Sequence, residues 1–217
     1  MQTAQSLSIP FTEFATYAAL PQEDLPQGPL QSPILEENLL NICKSPEISL
    51  PLRPETDTDM AKKEINTDLW VYEMLKEANI TLTAQGSNID EVNEALKTAS
   101  KNQTGKVGFP EYCGVVKDFL IVIEDKASLD KHIALDDKKL IAQDQKSVKD
   151  YAVNGALFYG LHIASNTNFH KVIACGVSGD SKRHRITPVF INERGDYQQL
   201  PDLETFVSFA AHNIDDY

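Results

Sequence analysis

Residues 108–128 read G-F-P-E-Y-C-G-V-V-K-D-F-L-I-V-I-E-D-K-A-S, two short apolar runs separated by a single polar pair. Valine, isoleucine, tyrosine and phenylalanine favour strands, and a two-residue polar break between such runs is typical of a hairpin turn. We predict antiparallel strands at 112–116 and 119–127 around a turn at 117–118. The second strand ends in three consecutive charges at 124–126. Charges at the end of a buried strand are costly unless they are paired or used, so this end of the hairpin is a candidate functional site.

The segments around the hairpin predict helices and further strands. Apolar residues at three- and four-residue spacing indicate an amphipathic helix over 62–79; they are Ile65, Leu69, Val71, Tyr72, Leu75 and Ala78. Similar patterns predict helices at 89–101 and 146–165, strands at 171–179 and 186–191, and a terminal helix at about 201–213. The resulting order of elements predicts an α/β fold, a mixed sheet that contains the hairpin and is flanked by helices.

Proline is concentrated at one end of the chain. Eight of the 11 prolines of the 217-residue sequence lie within residues 1–54. Proline interrupts helices and the hydrogen bonds of central strands, so we expect residues 1–58 to form an extended or disordered arm. The folded domain is then expected at residues 59–217.

Composition excludes several classes of protein. No apolar run approaches the roughly 20 residues of a membrane helix, and the N-terminal segment lacks the features of a signal peptide. The three cysteines have no paired spacing and the five histidines form no cluster, which counts against disulfide and zinc frameworks. We therefore expect a cytoplasmic protein with no membrane association. The net charge of −12 disfavours strong autonomous DNA binding, although an acidic site loaded with divalent cations presents a different local field.

Strand geometry selects the residues of the hairpin site. Side chains alternate along a strand, which predicts Glu124 and Lys126 on one face and Asp125 on the other. A turn at Lys117-Asp118 places Glu111 opposite Glu124, whereas Asp118 lies roughly 20 Å from Glu124 at ~3.3 Å per residue. Two carboxylates and a lysine suit Mg²⁺-assisted hydrolysis of a phosphodiester. The alternative is a solvated strand end with a cross-strand ion pair.

With this context the sequence resembles the PD-(D/E)xK nuclease superfamily, and in particular the N-terminal nuclease domain of type I and type IIG restriction–modification proteins. The segments that carry the resemblance are K-N-Q-T-G-K-V-G-F-P-E-Y, D-F-L-I-V-I-E-D-K-A-S, D-Y-A-V-N-G-A-L-F-Y and V-I-A-C-G-V-S-G. The resemblance implies a restriction-endonuclease-like core and Mg²⁺ (or Mn²⁺) held by Glu111 and Glu124. It also implies that Lys126 is the catalytic lysine and that Glu64 is an additional acidic residue on the first helix.

The sequence departs from this pattern at two points. Glu111 stands where such nucleases usually carry aspartate, and neither N-P-P-Y nor D-P-P-Y, the motifs of adenine methyltransferases, occurs. The expected partners are double-stranded DNA and a methyltransferase or specificity subunit, present as a separate chain or a fused domain. Two functions follow: an Mg²⁺-dependent DNA endonuclease domain, or a catalytically silent docking or DNA-binding module of a complex with an adenine-specific methyltransferase.

Basic residues that are candidates for contacting DNA lie outside the hairpin. Lys182, Arg183 and Arg185 form the most concentrated positive patch, and Lys106 lies in the loop before the hairpin. Such side chains suit a phosphate backbone, but a charged surface loop explains the patch equally well.

Overall fold

The computed structural model describes residues 57–101 and 107–217. The predicted arm at 1–58 lies outside the described residues except for its last two positions. Lys106 also lies outside the described residues. None of the helices in the described part is long and apolar enough to cross a membrane.

A six-stranded mixed sheet forms the centre of the fold, with strands in the order in which they follow one another along the chain. The strands are β1 (Thr83–Ala84), β2 (Tyr112–Val116), β3 (Phe119–Lys126), β4 (Lys171–Gly179), β5 (His184–Asn192) and β6 (Tyr197–Gln199). The pairing of β3 with β4 is parallel, and the remaining neighbours are antiparallel. A parallel pair needs a crossover, which the helical segment between β3 and β4 supplies. The predicted α/β fold is therefore confirmed, and it is compatible with a restriction-endonuclease-like core.

The predicted hairpin register is also confirmed. Val116 pairs with Phe119 and Tyr112 with Ile123, so Lys117 and Asp118 form the turn. Lys117 adopts φ of 54°, the left-handed conformation that a two-residue hairpin turn requires. Continued by one residue beyond Tyr112 and Ile123, this register sets Glu111 opposite Glu124. The turn therefore sets which residues meet at the far end of the hairpin.

Helices cover both faces of the sheet. They are α1 (Asp57–Glu77), α2 (Asp90–Leu96), α3 (Gln145–Asp150) and α4 (Ala152–Asn166). Alternate residues of β3 enter two separate cores: Ile121 and Ile123 pack with α1, whereas Leu120 and Val122 pack with α4. Burial on both faces explains why β3 is apolar along most of its length.

Helix α1 forms where predicted, but only part of the predicted apolar set is buried. Val71, Met74 and Leu75 are buried against the sheet, whereas Ile65, Leu69 and Tyr72 are 66%, 56% and 53% exposed. Both sets have helical spacing, so periodicity alone does not decide which of them faces the sheet.

Three helix predictions need correction. The helix predicted over 89–101 is shorter and ends at Leu96. The single helix predicted over 146–165 is divided at Tyr151, whose extended backbone ends α3 and begins α4. The terminal helix predicted at 201–213 is wrong: this segment contains only a short 3₁₀ helix, Phe206–Phe209. Phe206 and Phe209 are fully buried in the core beside α1. Their tertiary packing replaces the periodic helix that the sequence suggested.

Candidate active site

A cleft of about 180 Å³ lies at the end of the hairpin opposite its turn. Its lining is polar apart from Ile65 and comprises Glu64, Asp68, Gln85, Glu111, Asp125 and Lys126. The last two close β3, Glu111 immediately precedes β2, and Glu64 and Asp68 lie one turn apart on α1. Helix α1 and the hairpin, which are distant in sequence, thus bring acidic side chains and a lysine to one surface depression.

Gln85 holds Glu111 at the mouth of the hairpin. The backbone N–H of Gln85 donates to the backbone carbonyl of Glu111 over 2.9 Å, and its side-chain amide donates to the Glu111 carboxylate. Burial, and next the charge of Glu124, raise the pKa of Glu111 to about 7. This electrostatic coupling agrees with the register that sets Glu111 opposite Glu124.

Glu124 is not part of the lining of the cleft and lies beside Lys101 and Gly155 of α4. Its side chain is 2% exposed, and its Oε2 forms an ion pair with Lys101 Nζ at 2.5 Å. The other oxygen, Oε1, has no hydrogen-bond partner among the described residues. One oxygen of the Glu124 carboxylate is therefore paired with an ammonium, and the other is buried without a hydrogen-bond partner among the described residues.

Asp125 lies on the face of β3 opposite Glu124, as strand alternation predicted, but the cleft includes this face. Strand alternation predicted that this side chain points away from the site, yet Asp125 lines the cleft together with Lys126 and Glu111. It faces α1, and burial followed by the charges of Glu111 and Asp68 raises its pKa to about 8. The cleft lies where the hairpin meets α1, so residues of both faces of β3 reach it.

The donor set fits a hard divalent cation. Three buried carboxylate oxygens, Asp68 Oδ1, Glu124 Oε1 and Asp125 Oδ2, have no hydrogen-bond partner in the described part of the chain. Unpaired buried carboxylate oxygens are costly, and a hydrated divalent ion bound to one or two of these carboxylates would reduce that cost. No group of three or more His, Cys, Asp or Glu side chains within residues 57–101 and 107–217 has the geometry of a complete metal site. This does not conflict with Mg²⁺, which keeps several waters and uses only one or two carboxylates.

The remaining predicted residues are placed in two regions. Glu64 is exposed and lines the cleft, whereas Lys182, Arg183 and Arg185 lie in the exposed segment around the turn from β4 to β5. Because β3 and β4 are parallel and Lys126 pairs with Ser178, this turn is at the same end of the sheet as the cleft. The guanidinium of Arg185 is engaged by Asp202 at 2.9 Å.

A buried polar network supports the strands behind Lys126. The Thr187 hydroxyl donates to Asp202, so it accepts from Nε2 of His132 at 2.7 Å, and Nδ1 of the neutral ring accepts from the Ser178 hydroxyl at 2.7 Å. Burial lowers the pKa of His132 to about 4, so the ring is neutral at neutral pH. Ser178 and Thr187 are completely buried and His132 is 2% exposed. A serine–histidine pair that no substrate can reach is structural rather than nucleophilic.

Four residues of the site were not singled out from the sequence: Asp68, Gln85, Lys101 and Asp125. Asp68 was detectable in principle, because it follows Glu64 by one helical turn and so shares its face. Lys101 precedes the hairpin by ten residues and pairs with Glu124 only through the tertiary fold.

One curated protein shares clear sequence similarity with the chain. It is the type II restriction enzyme and methyltransferase RM.BcgI of Heyndrickxia coagulans, 32% identical over 160 residues. The chain is similar to a restriction–modification protein. The matched region is 73% of this chain and 25% of the relative, so the chain spans about a quarter of the length of the protein it matches. No family model matches the chain, and no solved structure matches it significantly.

Proposed function

We propose that the chain is the Mg²⁺-dependent DNA endonuclease domain of a restriction–modification system. The observation that carries the proposal is the cleft at the end of the hairpin, where Glu111, Asp125 and Lys126 meet and where the charge of the buried Glu124 acts on Glu111. The similarity to a restriction enzyme and methyltransferase supports the same system. The PD-(D/E)xK assignment and the metal requirement belong to this proposal.

The chain's own residues have distinct roles in this mechanism. Glu111 and Glu124 would hold the cation, and the chemistry that it would supply is charge neutralisation at the phosphate and a lowered pKa of a water. Lys126 donates to a phosphate oxygen and orients the attacking water, so charge that develops on the phosphate is met by a fixed ammonium. Water attacks phosphorus and gives up a proton to solvent, the bond from phosphorus to the leaving oxygen breaks, and that oxygen takes up a proton from solvent. Gln85 keeps Glu111 at the mouth of the hairpin.

Cleavage of unmodified plasmid DNA with Mg²⁺ or Mn²⁺ tests the assignment. We expect Lys126→Ala to lower the cleavage rate by about 10²- to 10³-fold, the usual loss when one charge-stabilising donor is removed. Lys117→Ala is the matched control, since Lys117 lies in the turn of the same hairpin and pairs with the exposed Asp215. Equal cleavage by wild type and Lys126→Ala, or cleavage that persists in excess EDTA, would refute the mechanism.

The second candidate function is a catalytically silent docking module, which the exposed apolar residues of α1 favour. Ile65, Leu69 and Tyr72 follow one another at helical spacing and are each more than half exposed. Such a stripe suits a partner such as a methyltransferase or specificity subunit. Titration of the protein with Mn²⁺ by calorimetry separates the two candidates, because the docking module predicts no binding that depends on Glu124.

A further inference from the structure

The ion pair of Lys101 with Glu124 differs from the surface ion pairs of this protein. Its N–O distance is 2.5 Å and its side chains are 16% and 2% exposed. By comparison, Lys97 and Glu94 pair at 2.6 Å with side chains 58% and 70% exposed. A pair that is removed from water is little screened, so its charges act strongly on any further ion nearby.

Helix α4 is shaped to accommodate this pair. A Cβ at Gly155 would lie 3.0 Å from Lys101 Nζ and 3.4 Å from Glu124 Oε2, so the absence of a side chain leaves room for both groups. One turn later, the ring of Tyr159 lies under the ammonium, with Nζ 4.6 Å from the ring centroid. The ammonium therefore has a cation–π contact in addition to its ion pair with Glu124.

The two oxygens of the Glu124 carboxylate have different partners. Lys101 occupies Oε2, whereas the buried Oε1 has no partner in the part of the chain that the structure describes. A cation that binds Oε1 therefore shares one carboxylate with an ammonium already seated on it. Like charges at such separations repel strongly in a poorly hydrated site.

We propose that Lys101 is an internal competitor of the divalent cation at Glu124. It neutralises the buried carboxylate when no metal is bound and opposes metal binding, so it sets the concentration of metal that the site requires. Lys101 acts through Glu124 and is not a catalytic residue. This inference rests on the proposed metal-dependent function and identifies what regulates its site.

Calorimetric titration of the full chain with Mn²⁺, without DNA, tests the competition. We expect Lys101→Met to bind Mn²⁺ at least tenfold more tightly than wild type. Lys101→Gln retains a hydrogen-bond donor without the charge, and it should also bind Mn²⁺ more tightly than wild type. It takes the place of Lys101→Met if that variant folds poorly. Lys97→Met is the matched control and should leave the affinity unchanged, since Lys97 pairs with an exposed glutamate in the preceding turn.

A second readout requires no metal. In EDTA, Lys101→Met should unfold at a lower urea concentration than wild type, and adding Glu124→Gln should restore much of the loss because no buried charge then remains unpaired. Mn²⁺ affinity that is unchanged or weakened in both Lys101 variants would overturn the competition alone. Absence of Mn²⁺ binding in wild type and in both variants would overturn it together with the metal-dependent function.

Discussion

Replacing Asp125 by asparagine should change how the stability of the metal-free protein depends on pH. Asp125 is 5% exposed, and burial among other carboxylates raises its pKa from 3.8 to about 8. Between these two values the folded chain retains a proton that the unfolded chain releases. The native state then binds more protons than the unfolded state, so the free energy of unfolding falls as pH rises through this interval. Asparagine does not titrate and removes this contribution.

The size of the effect follows from the displacement of the pKa. Each pH unit within the interval changes the free energy of unfolding by about 1.4 kcal/mol. Between pH 5 and pH 8, the free energy of unfolding of Asp125→Asn should therefore rise relative to that of wild type by on the order of 4 kcal/mol. For a domain of this size that corresponds to roughly 10 °C in Tm. His132, with its pKa lowered by burial to about 4, acts in the opposite direction, but it is present in both proteins and cancels in the comparison.

Urea unfolding in EDTA at several pH values from 5 to 8, followed by circular dichroism, measures the difference. Asp118→Asn serves as the control, because Asp118 is exposed in the hairpin turn and its ion pair with Lys171 lowers rather than raises its pKa. We expect the control to keep the wild-type slope. Parallel stability profiles for wild type and Asp125→Asn would refute the reasoning, since they would mean that Asp125 titrates normally in the folded chain.

Three further predictions concern the site and the framework that supports it. Mn²⁺ should raise Tm more at pH 8 than at pH 5, because Glu111, with a pKa of about 7, is mostly protonated at the lower value; equal shifts in a thermal-shift assay would exclude it as a ligand. Gly176→Ala should cost about 3 kcal/mol in urea unfolding, since its Cβ would lie 2.4 Å from a backbone nitrogen of α4, and an unchanged midpoint would contradict this packing. Asn154→Ala should cost roughly 3 kcal/mol, because the buried amide makes three hydrogen bonds to the backbones of Ala134 and Ala142; a loss below about 1 kcal/mol would show that water replaces them.

The hairpin and its register are local properties, and the sequence was sufficient to predict them. Strand-forming runs flank a two-residue polar break, and a two-residue turn permits only one pairing of the strands. The positions of Glu111, Glu124 and Asp118 relative to one another followed from that pairing, and β2 and β3 have it in the structure. Helix α1 was predictable from the spacing of its apolar residues, because that spacing is also a local property. The spacing did not show which of these residues are buried.

The surroundings of those residues depend on elements that are remote in sequence, and no local pattern encodes them. Asp125 shares the cleft because α1 packs on its face of the sheet and brings Asp68 beside it. Lys101 reaches Glu124 because α4 presents Gly155 at the point where the pair needs space. The sequence by itself thus determined the hairpin and which of its residues carry the candidate chemistry. Only the tertiary structure decided which charges those residues face, because charge coupling depends on distances between elements that packing brings together.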